Sequence, residues 1–397
     1  MIGSLRAAAN RLAGRLPPLV ADRVLPGRRR RIKAEGTTQV ARARHRLFIG
    51  PVNSAGQGYA WARAAERLPD VAAADFMYRN AHDPFAFPAD HAVPTTFFVA
   101  SAGWQRDQRR AVARRFSHVL LESGRHLFGT EGGVLEQIEW LQDRGVRVAL
   151  LWHGSDIRLP SGHARLEPDS PFHGGAYHET ERLEEIATRN RRLVAESGVP
   201  SFVSTPDLLE FVPDATWLPV VVELDRWRAA APDAPLARRR PVVVHAPSNA
   251  GLKGSELIAP TLARLHEEGV VDYRPVSGVP SAEMPAIFGA ADIVLDQFSL
   301  GISGVATCEA LAAGRVVVSH VGDGARAHIR RASGLELPVV EARAHELEAT
   351  LREIVRERER FASIAADGPV FVEALHDGRR SAAALAPFLG VSPSPVR

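Results

Sequence analysis

The sequence predicts an α/β fold made of two Rossmann-like domains facing across a cleft, on three observations. The chain has 397 residues, too many for one ordinary domain and suited to two of roughly 150–200. From Arg46 onward, short apolar runs alternate with longer segments of helical period, the pattern of parallel sheets covered by helices. That alternation stops once, at the Pro- and Arg-rich stretch Ala229–Arg240, and then begins again. A hydrophobic content of 45% with 24% charged residues excludes whole-chain disorder and fibrous classes.

The first series places strands at Leu47–Gly50, Val71–Phe76, Thr96–Ala100, His118–Leu121, Val146–Trp152 and Phe202–Ser204. Helical stretches lie between them at Tyr59–Leu68, Trp104–Phe116, Val134–Arg144 and Glu179–Glu196. Gly154 to Gly175, rich in Pro, Gly, His and Asp, reads as an insertion at a strand end, and such insertions are usually functional or mobile. The second series has strands at Val242–His245, Asp272–Val276, Ile293–Asp296, Val316–Ser319 and Leu335–Val339. Its helices fall at Ser255–Glu268, Ala282–Ala290, Gly304–Ala313 and Ala342–Arg358, with a terminal helical segment over about Val370–Leu389. The resulting division is an N-terminal arm (1–45), a first Rossmann-like domain (46–228), a linker (229–240), a second Rossmann-like domain (241–369) and a C-terminal helix and tail (370–397).

Charge is unevenly placed. Residues 1–46 carry 12 basic and 2 acidic side chains, and the remaining 37 basic against 44 acidic make the body acidic, which argues against a nucleic-acid partner. In the arm, Ile2, Leu5, Ala9, Leu12 and Leu16 recur at helical spacing, and Arg28–Lys33 follows as a basic run. Two readings stand for residues 1–33: an amphipathic, polybasic contact with an anionic membrane surface, or a helix docked on its own domain followed by a solvated linker. The lone cysteine, Cys308, fits a reducing compartment, and no apolar run is long enough to span a bilayer. The expected location is cytoplasmic, peripheral on the inner face of the membrane if the arm binds lipid.

Sheets of this kind bind ligands at the carboxyl ends of their strands, which narrows the candidate site to strand-end loops. Of 49 basic residues only Lys33 and Lys253 are lysines. Lys253 lies in the run Val244–Ser255, where a strand leads through Ser248, Asn249 and Gly251 to a helix start that Ser255 can cap. Helix-start amides beside an ammonium group attract phosphate, although the Walker order is absent. A second segment runs from the strand Ile293–Asp296 through Gly301, Ser303 and Gly304 into a helix carrying Glu309, with Gly314 as its C-cap. Glu309 lies among small residues, where an unpaired carboxylate is costly and the vicinal hydroxyls of a sugar would satisfy it. In the first half, Asn53, Gly56, Gln57 and Gly58 form a glycine-rich turn after the first strand, and His153 and Asp156 leave the strand that opens the insertion. His163, His173 and His178 are irregularly spaced and have no cysteine nearby, so no metal site is expected.

Val242 to Ile329 resembles retaining glycosyltransferases of the GT-B fold, glycosyltransferase family 4. The resemblance rests on Lys253-Gly254 after the first strand of the second half and on Glu309-Ala310-Leu311-Ala312-Ala313-Gly314, similar to the end of the family's Glu-x7-Glu motif. It implies a nucleotide-diphosphate sugar as donor with no further cofactor, Lys253 on the diphosphate, Glu309 on the ribose, and His153 beside the transferred sugar. It also implies a saccharide or lipid-linked acceptor and metal-independent transfer with retention. Two departures accompany it: the first motif glutamate falls at Gly301, and no arginine precedes Lys253, for which Arg326 and Arg330 are candidate substitutes. A GT-B domain that binds nucleotide sugar without transferring it, or a nucleotide-sugar epimerase, is the alternative.

Overall fold

The computed structural model describes residues 18–80, 82–129 and 132–392. Two wholly parallel sheets carry the fold. The first runs β3-β2-β1-β4-β5-β6-β7, with β1 His45–Gly50, β2 Val71–Arg79, β3 His91–Pro94, β4 His118–Glu122, β5 Arg147–Trp152, β6 Ser201–Val203 and β7 Thr216–Trp217. The second runs β12-β11-β10-β8-β9, with β8 Val242–His245, β9 Asp272–Pro275, β10 Ile293–Leu295, β11 Val316–Ser319 and β12 Val340–Glu341. Strands such as Val242-Val243-Val244-His245 are buried throughout, because parallel sheets are covered on both faces. Strand order reverses between β1 and β4 in one sheet and between β8 and β10 in the other, and at such points the strand-end loops diverge and leave a crevice.

Two predicted strands are corrected. Thr96–Ala100 lies in the helix Thr95–Ala100, and the edge strand is His91–Pro94 just before it. A short apolar run does not reveal its period, and here Phe97 and Phe98 turn inward while Val99 is exposed. Leu335–Val339 buries Leu337 and Val339 but pairs with no strand, and the ladder starts one residue later at Val340. The structure adds the helices Pro160–Leu166, Leu224–Ala229 and Asp323–Ser333 and strand β7 to the elements expected from the sequence. The predicted helix over Ala342–Arg358 is a 3-10 turn at Ala344–Glu346 followed by Leu347–Arg356.

The terminal segment consists of two helices, Arg358–Leu375 and Arg379–Leu389, separated by a turn in which Gly378 takes φ +95°. The first lies on the helix Val305–Ala312 of the second half, and a Cβ on Gly368 would stand 2.6 Å from the Leu311 carbonyl oxygen. The second returns to the first half, where the Ser381 hydroxyl donates to Pro219 O at 2.7 Å and the Phe388 ring meets His118 edge-on at 5.2 Å. One apolar core therefore runs through both halves, from Leu47 and Trp61 to Val317 and Leu389. Linker residues are pinned as well: Leu236 N donates to Asp292 at 2.8 Å and Arg315 donates to Asp233 O at 2.6 Å.

The amphipathic stripe from Ile2 to Leu16 lies outside the described residues. The basic run Arg28–Lys33 is not a linker but part of a helix, Pro26–Glu35, docked on the first half. Buried Asp22 accepts from Gly103 N at 2.8 Å, Trp104 Nε1 donates to Gly36 O at 2.6 Å, and Ile32 packs against the core. The arginines on its outer face stay exposed. No helix among the described residues is long and apolar enough to cross a membrane.

Candidate functional site

The loops that leave the two switch points face one another and enclose a cleft. From the first half it is lined by Ser54, Gln57, His153 and the ring pair Phe85 and Phe87; from the second, by Ser248, Lys253, Gly304 and Glu309. The loop after β9, Val276 to Ser281, closes one end.

Each switch point is tied together by a buried carboxylate. In the second sheet Asp296 follows β10, and one of its oxygens pairs with the Lys253 ammonium arriving from the β8 loop. The other accepts from Thr307 Oγ1 at 2.6 Å, in the helix that carries Glu309. Burial alone would raise the Asp296 pKa, but the charge of Lys253 and the hydrogen bonds from Lys253 and Thr307 outweigh it and hold it below the ordinary range. In the first sheet Glu122 ends β4. Its Oε2 accepts from Val52 N and Asn53 N at 2.8 and 2.9 Å, and its Oε1 meets His153 Nε2 at 3.0 Å. Burial by itself would lower the His153 pKa; the hydrogen bond and charge of Glu122 carry it above the usual histidine value. The ring stacks on Trp61 with centroids 5.7 Å apart.

Glu309 is partly open to the cleft and makes no side-chain hydrogen bond to a described residue. Burial pushes its carboxyl up to about 8, against the pull of Lys253 and Arg226. A proton held there at neutral pH removes a negative charge from a pocket wall that also carries Lys253 and Asp296.

The other sequence candidates divide into wall and framework. Ser248 and Gly304 line the cleft. Gln57 also reaches it, but its amide is engaged with the Val221 backbone at 2.7 and 3.1 Å. Asn53, Gly56 and Gly58 shape the turn after β1: Asn53 stands at φ +52°, accepts from Tyr59 N and donates to Pro88 O. Asp156 turns away from the cleft, because its oxygens accept from His153 N, Gly154 N and Ser123 Oγ. Asn249 caps Leu252 N and bonds Tyr177 across the domain boundary at 2.9 Å. Ser255 does not cap its helix; its hydroxyl meets His245 Nε2 at 2.7 Å. Arg326 and Arg330, the candidate substitutes for a phosphate arginine, do not line the cleft; Arg326 bonds Glu341 and Arg330 pairs with Glu336.

Gly301 and Ser303 do not reach the cleft wall. Their loop is wrapped around Gln297, whose Oε1 accepts from Ser299, Leu300 and Gly301 amides while its Nε2 donates to Ile302 O and His320 O. A side chain at 301 would be strained at φ +65°, and its Cβ, 2.7 Å from Glu167 Oε1 of the first half's insertion, would force that carboxylate to move. Glu167 continues to His320 Nε2 at 2.9 Å, and His320 Nδ1 meets Glu341 at 2.6 Å. His163, in the helix Pro160–Leu166, adds Nε2 to Leu300 O at 3.1 Å, so the insertion is a strap across the two halves. His163 and His173 are thereby used in protein hydrogen bonds, and no metal-binding cluster occurs among the described residues. Sequence reasoning missed Glu122, Asp296 as a ligand of Lys253, Arg226 and Glu167. The first two were legible only as acids at strand ends; the others had no local signal.

No protein-family model and no curated protein matches the chain. Solved structures do. Sucrose-phosphate synthase from Thermosynechococcus elongatus aligns at 12% identity over 87% of this chain and 98% of its own, with a TM-score of 0.55. HepE of Anabaena, in complex with UDP and glucose, aligns at 13% identity over 87% and 99%, with a TM-score of 0.53. WaaG, a glycosyltransferase of lipopolysaccharide biosynthesis, aligns at 13% over 85% and 98%, with a TM-score of 0.50.

Two outcomes are expected from this geometry. Lys253→Ala leaves Asp296 buried and unpaired and lowers unfolding free energy by about 3–5 kcal/mol in urea titrations, whereas Lys253→Met combined with Asp296→Asn recovers most of it. Burial opposes protonation of His320, but Glu167 and Glu341 raise its pKa to about 9. A raised pKa contributes stability that is full below the unfolded value near 6.5 and is lost as pH climbs through about 9. Melting temperature therefore falls over that range, and His320→Gln removes this component of the slope; an unchanged slope refutes the strap's electrostatic role. The mutual alignments leave one plain statement of kind: this chain has the GT-B fold, two Rossmann-like domains facing across a cleft.

Proposed function

We propose that the protein is a glycosyltransferase of the family 4 type, moving a sugar from a nucleotide-diphosphate donor to an acceptor hydroxyl. The observation that carries the reading is the convergence of Lys253 and Glu309 on one cleft wall, opposite His153 on the other. The nucleotide-bound HepE structure and the sucrose-phosphate synthase fold support a nucleotide-sugar donor.

In this reading the leaving diphosphate gains negative charge as the glycosidic bond breaks, and a preorganised cation beside it stabilises that charge. Lys253 supplies the cation from a position already fixed by Asp296, with no rearrangement at the moment of reaction. Arg226 adds positive charge near Glu309. Glu309 holds the ribose hydroxyls. His153, anchored through Nε2 by Glu122, touches the transferred sugar and stabilises the reacting centre. Retention and metal independence follow from the family resemblance. The acceptor is a saccharide or lipid-linked saccharide of an envelope polymer, in line with the fold likeness to WaaG. A non-catalytic nucleotide-sugar-binding role is the second reading, favoured by Gly301, where Glu167 fills the space a motif glutamate would need.

The arm belongs to the same proposal. Leu19, Val20 and Val24 are 45%, 42% and 55% exposed beside the arginines of Pro26–Glu35, a combination suited to anionic lipid headgroups.

A thermal-shift screen of nucleotide-diphosphate sugars is expected to find a donor that raises the melting temperature increasingly above its dissociation constant. The folded Lys253→Met/Asp296→Asn variant is expected to lose at least about tenfold in donor affinity, near 1.4 kcal/mol, together with transfer. Full affinity and turnover in that variant would sink the assignment. Binding without transfer or hydrolysis over many acceptors moves it to the non-catalytic reading. For the membrane, vesicles containing phosphatidylglycerol are expected to retain the protein at low salt and release it at high salt; equal retention after Arg28–Arg31 are changed to Gln removes that part.

A further inference from the structure

The cleft has an end that the donor and acceptor roles above leave unused. Phe85 and Phe87 project from the segment between β2 and β3, and their rings stack with centroids 6.0 Å apart at 27°. Ala86 between them stands at φ +49°, a left-handed conformation uncommon for a residue with a Cβ. Such strain persists only where the surroundings enforce it, and here they do. Phe85 N donates to Asp83 Oδ1 at 3.1 Å, Arg79 donates to Phe87 O at 3.1 Å, and Asn53 donates to Pro88 O at 2.8 Å. Gly56 lets the Phe87 ring approach, since a Cβ there would lie 3.0 Å from Phe87 Cδ1. The turn after β1 is thus the foundation of an aromatic platform.

That platform meets the donor half. Ser281 N donates to Phe85 O at 2.9 Å across the domain boundary, and the facing wall is apolar, formed by Val276, Val279 and Met284. The amides of Ser277, Gly278 and Val279 donate to no other described residue and are free to read the edge of a ligand. Arg226 joins this end to the charged one: it bonds Ser281 O and Ala282 O at 3.4 Å and acts on the Glu309 carboxyl. The cleft therefore passes from charged, at Lys253 and Glu309, to flat and apolar, at Phe85 and Val276, with unpaired backbone amides beside the apolar end. A nucleotide has the same sequence of chemistry, from phosphate through sugar to an aromatic ring with hydrogen-bonding edges.

We propose that Phe85 and Phe87 form an aromatic subsite, contributed by the first half, on which the nucleobase of the donor stacks against the Val276–Ser281 loop. The inference rests on the nucleotide-sugar reading and assigns the base-holding role to residues of the domain opposite the one that binds the diphosphate. Donor binding then bridges both halves.

Calorimetric titration of the full chain with UDP, with ADP and with inorganic pyrophosphate tests it. Phe85→Ala combined with Phe87→Ala is expected to weaken the preferred nucleotide by roughly ten- to hundredfold, the range of base–aromatic stacking, and to leave pyrophosphate within about twofold. Phe85→Tyr with Phe87→Tyr keeps the aromatic faces and is expected to keep nucleotide affinity. An unchanged melting temperature, or recovery in the Tyr variant, separates lost stacking from lost folding. If nucleotide affinity is unaffected by the Ala pair, or falls only in step with pyrophosphate, the subsite is overturned while the donor reading stands. A rise in the acceptor KM alone would assign the rings to the acceptor and likewise overturn it. If the wild-type chain binds pyrophosphate but neither nucleotide, both the subsite and the donor reading fall.

Discussion

A buried carboxylate at each switch point organises this molecule. Asp296 and Glu122 stand in equivalent places, at the carboxyl end of the strand across the reversal, and each accepts from the loop that leaves the neighbouring strand. A carboxylate taken out of water must be paired or hydrogen-bonded, so each acid dictates where its partner loop goes. Asp296 fixes Lys253 and, through Thr307, the helix that carries Glu309. Glu122 fixes the turn after β1 and the ring of His153. Lys253, the helix carrying Glu309, and His153 are thereby held by the framework before any ligand arrives.

The same economy holds between the halves. The insertion after β5 reaches across with His163 and Glu167, Tyr177 meets Asn249, and the last helix packs back onto the first sheet. In the seam where the insertion meets the second half, Glu167, His320 and Glu341 shift one another's ionisation in mutually stabilising directions. Gly301 belongs to this seam rather than to the cleft, which explains why glycine occupies a position where the family resemblance leads one to look for an acid.

Much of the fold was legible because its signals are local. Alternating buried strands and amphipathic helices announced two parallel sheets, and Lys253 announced itself through the scarcity of lysine and its place between strand and helix. The short run Thr-Phe-Phe-Val-Ala at 96–100 misled, since five residues cannot separate a period of 2 from one of 3.6. Asp156 and Asn53 were read as ligand contacts because polar residues in a strand-end turn look alike whether they face a ligand or their own backbone; here both are engaged with backbone groups.

By itself the sequence determined the α/β class, the two-part organisation, and the loops at which chemistry would gather, because strand ends and glycine-rich turns are properties of short segments. The tertiary structure alone decided which acids meet which bases. Asp296 lies 43 residues from Lys253, and Glu167 lies 153 from His320. Ser281 and Phe85 come together from opposite domains. Contacts of that range depend on how the helices and sheets pack, and on the energetic need of each buried charge to find a partner, neither of which is written in any local stretch of chain.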